Sequence, residues 1–202
     1  MSFVDLAKYT KTDILAPYLV LKERCKILQK NEGEGRYIIE VFTNHGRFVL
    51  KICDIELKKY KADPTVYQQR RSAILLEADN MARFSKYNHF VKIIRKVQNK
   101  KSLELLMEYC GKSLIDKIKD DGSVLSQYNL VSWMSQTIIG MRYLEKNRMH
   151  HGDIKPENLL ILDDHINITD LGESSEIESG FERTLRIGKK TVLKGYTEAY
   201  AP

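Results

Sequence analysis

The strongest constraint on the fold lies in the last third of the chain, where polar loops flank two short apolar runs. Residues 151–158 read His-Gly-Asp-Ile-Lys-Pro-Glu-Asn, and the apolar run 159–161 follows directly. A second apolar run, 166–168, ends two residues before Asp170. Two short apolar runs divided by a polar turn are typical of a β-hairpin. We therefore expect the two apolar runs to form a hairpin that lies between the two polar loops.

The polar side chains on these two loops are Asp153, Lys155, Asn158 and Asp170. Transfer of a phosphoryl group from ATP needs a carboxylate that accepts the proton of the attacking hydroxyl and a cation beside the transferring phosphate. It also needs oxygen ligands that hold Mg²⁺ on the phosphates. The four side chains are of the types that this reaction needs, with ATP and Mg²⁺ as its cofactors.

The first half of the chain is predicted to consist mainly of strands. Residues 37–43 and 47–52 flank residues 44–46, Asn-His-Gly, which form a natural turn because Asn and Gly tolerate positive φ. Residues 90–97 and 102–109 flank a second polar turn. Each pair of runs predicts a hairpin.

Two long helices are also predicted. Asp63 followed by Pro64 is typical of a helix N-cap, and we expect a helix over residues 65–86. Residues at helical spacing support this helix, and they are Ala73, Leu76, Asn80, Met81 and Phe84. An apolar stripe predicts a second helix that ends near Lys146. This stripe consists of Leu130, Trp133, Met134, Thr137, Ile138, Met141 and Leu144. A small sheet with one helix, followed by a helical region, predicts an α+β fold of two lobes joined near residues 108–112.

The motifs at residues 151–172 resemble those of the eukaryotic protein kinase family. The resemblance implies a bilobal protein-kinase fold in which Asp153 is the catalytic base and Lys155 contacts the transferring phosphate. It implies that Asn158 and Asp170 bind Mg²⁺. The sequence Asp-Ile-Lys-Pro-Glu-Asn around Lys155 resembles the serine/threonine branch, so the implied reaction is phosphorylation of Ser or Thr on protein substrates.

Other segments resemble the family in the same chain order. Residues 48–51, Phe-Val-Leu-Lys, resemble the strand whose lysine anchors the α- and β-phosphates, which implies this role for Lys51 and an ion pair with Glu77. Residues 195–202 resemble the segment that closes the activation loop, and Thr197 matches the threonine that contacts the catalytic Asp and Lys.

The resemblance also implies a set of nucleotide-binding residues. Residues 105–110 resemble the strand that enters the hinge, so backbone groups there are expected to bind adenine. The implied set is Gly33, Gly35, Val49, Lys51, Met107, Glu108, Cys110 and Leu160. In this set Met107 lies at the rear of the pocket, and Val49 and Leu160 pack on the two faces of the adenine ring.

Three positions depart from the family pattern. The glycine-rich loop has only Gly33 and Gly35, because Ile38 stands where a third glycine is expected. Gly152 replaces the arginine that grips a phosphate on the activation loop, and glycine offers no charge to that phosphate. Leu171 replaces a phenylalanine, which is a conservative apolar change. Because Gly152 cannot bind a phosphate as the arginine does, activity is expected not to depend on phosphorylation of the activation segment, residues 170–202.

The resemblance divides the chain into an N-terminal extension at residues 1–20, an N-lobe at 21–109 and an incomplete C-lobe at 110–202. We expect the helices that cover the stripe at residues 130–144 to follow Pro202. The 202-residue chain alone is then expected to be marginally stable and poorly active, because an uncovered apolar stripe favours aggregation.

The composition narrows the class of protein. Hydrophobic residues make up 43% and charged residues 30%, as in soluble globular proteins. No run approaches the roughly 18 apolar residues of a membrane span, and charges interrupt the first twenty residues, so we expect no membrane and a location in the cytosol or nucleus. The three cysteines are far apart, which indicates thiols rather than a disulfide framework.

The net charge of +6 is compatible with an acidic partner or nucleic acid. No aromatic-interleaved motif accompanies the basic clusters, so nucleic acid is not the expected partner. Two alternatives to an active protein kinase stay open: a pseudokinase that acts as a binding module, and a small-molecule kinase of related fold.

Overall fold

The computed structural model describes residues 24–43, 46–56, 63–120 and 126–177. The described residues form two compact units. The first unit contains the described residues up to Ala78 together with Lys92–Tyr109. The second unit contains Asp79–Val91 together with the described residues from Cys110 onward. Within the described ranges, no helix has the length and apolar character needed to cross a membrane.

The elements of both units are as follows in chain order. They are β1 (Arg24–Asn31), β2 (Arg36–Thr43), β3 (Gly46–Asp54), α1 (Pro64–Phe84), β4 (Ile93–Gln98), β5 (Ser102–Glu108), β6 (Lys112–Ser113), α2 (Leu114–Asp120), α3 (Gln127–Lys146), β7 (Met149–His150), a 3-10 turn (Pro156–Asn158), β8 (Leu159–Leu162), β9 (His165–Ile168) and β10 (Ser175–Glu176).

The first unit is built on a five-stranded antiparallel sheet with the strand order β1-β2-β3-β5-β4. Successive side chains along a strand point to opposite faces. Tyr37, Ile39, Leu50 and Ile52 form a buried cluster on one face. Lys51 alternates with Leu50 and Ile52 on β3 and lies on the other face, which we call the Lys51 face.

Both predicted hairpins are present, as β2–β3 and β4–β5. Residues 44–45 of the first predicted turn lie outside the described residues. The second hairpin begins later than predicted, at Ile93, because Phe90 bridges to Ile168 and the Val91 N–H donates to the Ile168 carbonyl.

Helix α1 begins as predicted at a capped proline. The Asp63 carboxylate accepts hydrogen bonds from the N–H groups of Thr65 (2.8 Å) and Val66 (3.3 Å), which satisfies donors that the first turn leaves unpaired. The helix ends at Phe84, two residues before the predicted end.

The buried side of α1 differs from the predicted stripe. Asn80, Met81 and Phe84 are buried as predicted, whereas Leu76 is 55% exposed and Ala73 is also exposed. In the first half of the helix the buried positions are Ile74, Glu77 and Ala78 instead. Glu77 is 3% exposed, and Ile74 and Met81, three and four positions away, share its face.

The second unit contains α2, α3, the sheet β6-β8-β9 and the strand pair β7-β10. Helix α3 begins behind Ser126, whose hydroxyl accepts from the Asn129 N–H at 3.1 Å, and it ends at Lys146 as predicted. Its predicted apolar stripe is only partly buried. Trp133 and Leu144 are buried, whereas Met134 is 64% exposed.

The three cysteines all lie in the described ranges. Cys53 and Cys110 are buried, Cys25 is partly buried, and none of them forms a disulfide. The prediction of thiols is confirmed.

Candidate active site

Two predicted catalytic residues, Asp153 and Lys155, and the two predicted metal ligands, Asn158 and Asp170, lie in the second unit, on the two loops that flank the β8–β9 hairpin. The first loop leaves β7 at His150 and enters the 3-10 turn at Pro156. Proline fits the first position of such a turn because its missing N–H needs no partner there. The turn closes with a hydrogen bond of 2.9 Å from the Asn158 N–H to the Lys155 carbonyl, and Asn158 is buried.

This turn gathers three of the predicted residues around one carboxylate. The Lys155 ammonium lies 2.6 Å from Oδ2 of Asp153. The Asn158 amide nitrogen donates to the same oxygen at 3.2 Å and to the Asp153 backbone carbonyl at 2.9 Å. The hydrogen bond to Asp153 is the main cause that raises the pKa of Lys155, which keeps the lysine charged. The arrangement holds a carboxylate and a cation side by side.

The hairpin brings Asp170 next to this group. Asp163 and Asp164 close β8 onto β9 with φ of 49° and 60°, the conformation of a two-residue hairpin turn. At the open end the Thr169 N–H donates to the Asn158 carbonyl at 3.0 Å. Asp170 follows directly, with φ of 63°. Because Thr169 is bonded to Asn158, the two predicted metal ligands, Asn158 and Asp170, occupy neighbouring positions of the two loops.

The chemistry of these two side chains fits Mg²⁺. Within the described residues, no group of three or more His, Cys, Asp or Glu side chains is placed to hold a metal. Mg²⁺ in phosphoryl-transfer sites uses one or two protein oxygens and completes its shell with phosphates and water. The Asn158 amide nitrogen is turned to Asp153, so its oxygen is the atom that is available to a cation, together with the Asp170 carboxylate.

His151 connects the two loops and was not among the predicted site residues. It is fully buried, its Nδ1 accepts the Asp153 N–H at 3.3 Å, and its Nε2 lies 3.2 Å from the Thr169 carbonyl. Nδ1 must be unprotonated to accept, so Nε2 carries the proton that it donates to Thr169. One neutral ring therefore links the backbone of Asp153 to that of Thr169, the residue before Asp170.

We expect His151 to make the stability of the fold depend on pH. Burial is the main cause that lowers the pKa of His151, although the Thr169 carbonyl and nearby Asp170 and Asp153 oppose the shift. Below about pH 6.5 the unfolded chain therefore binds more protons than the folded chain. The free energy of unfolding then decreases as pH falls, by up to about 1.4 kcal/mol per pH unit. Urea denaturation between pH 5 and 8 measures this slope.

The control for this prediction is His165, which is exposed on β9. His151→Asn is expected to remove the slope from this source, whereas His165→Gln is expected to retain it. An unchanged slope in the His151 variant would contradict the assignment.

The predicted ion pair of the first unit is also present. The Lys51 ammonium on β3 is salt-bridged to the Glu77 carboxylate on α1. The two side chains are 11% and 4% exposed, so the pair is largely removed from water. The pair joins two residues that are 26 positions apart in the sequence, and so it connects α1 to β3.

The remaining nucleotide-binding predictions divide between the units. Val49 lies opposite Met107 in the β3–β5 register, and both are on the Lys51 face. The Glu108 N–H donates to the Lys92 carbonyl at 3.0 Å, so the predicted adenine contact of Glu108 is assigned to its carbonyl. In the second unit Cys110 is buried and Leu160 is partly buried on β8.

The predicted glycine loop is the turn between β1 and β2. Its Glu34 and Gly35 N–H groups both donate at 3.2 Å to carbonyls of the same turn, those of Asn31 and Glu32. Arg70 of α1 donates to the Glu34 carbonyl, and the Gly35 carbonyl accepts from the Asp54 N–H at 2.7 Å. The turn is therefore tied to the sheet and to α1. Its contact with phosphates stays a prediction, as does the role of Thr197, which lies outside the described residues.

The backbone at Gly152 explains why no arginine stands there. Its φ is +84°, a conformation that side-chain-bearing residues rarely adopt, and a Cβ would overlap the Glu173 carbonyl. The loop that carries Asp153, which we call the catalytic loop, and the start of the activation segment are thus in contact at this glycine. An arginine would force them apart.

The start of the activation segment is held by its own hydrogen bonds. Strand β10 pairs with β7, and the Ile177 N–H donates to the Arg148 carbonyl at 2.7 Å. Ser174 is buried, accepts from the Asn80 amide at 2.9 Å and donates to the Leu171 carbonyl at 2.6 Å. Leu171 is also buried. Ser174 is therefore a structural residue, although it belongs to the activation segment.

We expect phosphorylation of this segment to be unnecessary for activity. The test replaces Ser175, Ser179, Thr184 and Thr191 by Ala in the full-length protein and leaves Ser174 in place. The turnover rate is expected to stay within about twofold of the wild type, as is typical of surface substitutions. Phosphatase treatment of the wild type is expected to have equally little effect. A large loss in either experiment would show that another cation replaces the missing arginine.

Two positioning residues were missed from the sequence, His151 and Asn80. His151 lies inside the polar loop motif, but nothing in a single sequence shows that its ring is buried. Asn80 is the one polar member of the predicted α1 stripe, and this mismatch was the available signal.

Comparison with known proteins supports the resemblance to protein kinases. A family model described as the protein kinase domain matches residues 41–199. The match contains the Lys51–Glu77 pair, the catalytic loop and Thr197, and it begins after Gly33 and Gly35.

Several curated proteins are similar to the chain. A probable serine/threonine-protein kinase MRK1 homolog of Encephalitozoon cuniculi is 30% identical over 169 residues, which cover 80% of this chain and 51% of that protein. The carbon catabolite-derepressing protein kinase of Candida glabrata is 31% identical over 100 residues, which cover 48% and 16%. Serine/threonine-protein kinase Nek11 of Homo sapiens is 23% identical over 178 residues, which cover 84% and 25%. The chain spans about half or less of the length of these relatives.

The sheet with its helix, the helical second unit and the motif order define a protein kinase domain. The chain belongs to the protein kinase family, on the serine/threonine branch that these relatives represent. The predicted α+β protein-kinase fold is thereby confirmed.

Proposed function

We propose that the chain contains the catalytic residues of an active serine/threonine kinase, which transfers the γ-phosphoryl group of MgATP to Ser or Thr hydroxyls of proteins. The observation that carries the proposal is the Asp153 carboxylate, which Lys155 and Asn158 hold in one orientation. A carboxylate beside a cation is the arrangement that a hydroxyl attack on phosphorus requires.

In the proposed reaction, the hydroxyl oxygen of the substrate forms a bond to the γ-phosphorus as its proton passes to Asp153. The bond from the γ-phosphorus to the bridging oxygen breaks, and its electron pair leaves with ADP. Lys155 stays positively charged and stabilises the charge on the transferring group. Asn158 and Asp170 would hold Mg²⁺, which would neutralise charge on the phosphates.

The Lys51 face supplies the proposed nucleotide contacts of the first unit. Lys51 binds the α- and β-phosphates while Glu77 fixes its position. Val49 packs on the adenine ring, Met107 limits its depth, and the Glu108 carbonyl accepts from the adenine amine. In the second unit, the roles of Cys110 and Leu160 in nucleotide binding stay predictions.

The function is tested by transfer of labelled phosphate from ATP to generic protein substrates, followed by identification of the labelled amino acids. Label on Ser and Thr that disappears in Asp153→Asn supports the proposal. Label on Tyr would contradict the branch, and label on small molecules alone would contradict a protein substrate.

A pseudokinase is the second candidate, and one observation favours it. The β1–β2 turn uses the N–H groups of Glu34 and Gly35 for its own hydrogen bonds, which leaves these two groups unavailable to phosphates in this conformation. Binding of MgATP by the full-length protein without any transfer would support this candidate instead.

A further inference from the structure

The Lys51 face carries a buried acidic residue that the nucleotide contacts do not explain. Glu40 on β2 lies directly opposite Val49 on β3, so both side chains are on this face. Glu40 is only 3% exposed. A buried carboxylate is costly unless it is paired, and here it lies beside the position proposed for adenine.

The β2–β3 register places Glu40 between two cations. Arg47 and Lys51 lie two residues before and two residues after Val49, so each is a diagonal neighbour of Glu40, about 7–8 Å away between backbones. Long side chains reach that far, which makes Glu40 a potential partner of either one.

The structure shows which partner Glu40 takes. The Arg47 Nε lies 2.7 Å from Oε1 of Glu40, and a second guanidinium nitrogen contacts the same oxygen. The Arg47 guanidinium also stacks 3.7 Å from the ring centroid of Tyr109. Lys51 meanwhile pairs with Glu77. The planar guanidinium, which can bind a carboxylate and stack at once, is suited to this position in a way that lysine is not.

We propose that Arg47, which stacks on Tyr109, is a positioning residue that holds the Glu40 carboxylate away from Lys51. Without Arg47 this carboxylate turns to Lys51, where it competes with Glu77 and repels the phosphates of the nucleotide. The proposal rests on the proposed function insofar as it concerns nucleotide binding, but its statement about Lys51 stands apart from any nucleotide.

The test uses Arg47→Met, Glu40→Gln and the double variant in the full-length protein, with two readouts. The first is the Kd for MgATP from calorimetry. The second is the rate at which acetic anhydride acetylates Lys51 without nucleotide, measured by mass spectrometry. The matched control is Arg95→Met, which removes one charge from an exposed position opposite Leu106, on the other face of the same sheet.

Arg47→Met is expected to weaken MgATP binding about tenfold and to slow acetylation of Lys51 by a similar factor, because a second carboxylate keeps the lysine protonated. Glu40→Gln combined with Arg47→Met is expected to restore both values to within about twofold of wild type. Glu40→Gln alone and Arg95→Met are expected to change neither.

Three results would overturn the inference: no change in either readout for Arg47→Met, a loss of acetylation that the double variant does not restore, or an equal change in Arg95→Met. If the wild type does not bind MgATP, the proposed function fails, and the acetylation rates alone decide the inference.

If the Arg47→Met variant does not fold, the Arg47→Lys variant is used in its place. The lysine variant is expected to show a smaller loss in both readouts, which Glu40→Gln again removes.

Discussion

Asp170→Ala in the full-length protein is expected to reduce phosphoryl transfer about a thousandfold or more while the fold stays intact. The carboxylate is one of only two protein ligands proposed for Mg²⁺, and the other, Asn158, is a neutral amide. Without Asp170 the site would hold Mg²⁺ only weakly, and the phosphates would lose the positive charge that this ion supplies. The measurement is transfer of labelled phosphate at saturating ATP, with thermal melting as the check on folding.

Asp164→Ala is the matched control, since it removes a carboxylate from the far end of the same hairpin. It is expected to retain transfer, although the positive φ of Asp164 makes a small loss of stability expected. Near-normal turnover in the Asp170 variant would exclude the proposed metal site and, with it, the proposed mechanism.

The second large effect is expected at the Lys51–Glu77 pair, where stability and activity respond differently. Lys51→Met leaves the Glu77 carboxylate buried without its partner, which is expected to cost about 3–5 kcal/mol of stability. Replacement of both residues by Met is expected to return most of this loss, because an apolar pair of similar volume carries no buried charge. Neither variant is expected to transfer phosphate at more than about one hundredth of the wild-type rate.

Urea denaturation and labelled-phosphate transfer, measured on the same preparations, separate the two effects. Lys30→Met is the control, since its ion pair with Glu32 lies in a more exposed position at the end of β1. Such pairs contribute about 0–1 kcal/mol. A double variant as unstable as Lys51→Met would show that the pair holds α1 by geometry rather than by charge balance.

Much of the candidate site was determined by the sequence alone. Asp153, Lys155 and Asn158 lie within six positions, so a single turn is enough to bring them together. Asp170 follows after a hairpin whose two-residue turn is local as well. Local spacing restricts the backbone strongly, and for this reason the motif predicted both loops and the strands between them.

The buried face of the first half of α1 was decided only by the tertiary structure. The sequence pattern placed Leu76 on the buried face of α1, but the requirement to bury Glu77 against Lys51 turned the helix so that Leu76 is exposed. Hydrophobic periodicity cannot anticipate a buried charge, because it counts that residue as polar and assigns it to the surface.

The register of the sheet is the second feature that only the tertiary structure decided. The chain itself does not show that Glu40 lies opposite Val49, since a shift of one residue between β2 and β3 would move every side chain to the other face. Likewise, Gly152 reads from the sequence as the loss of an arginine. The close approach of the Glu173 carbonyl gives the physical reason, because a side chain at position 152 has no room beside it.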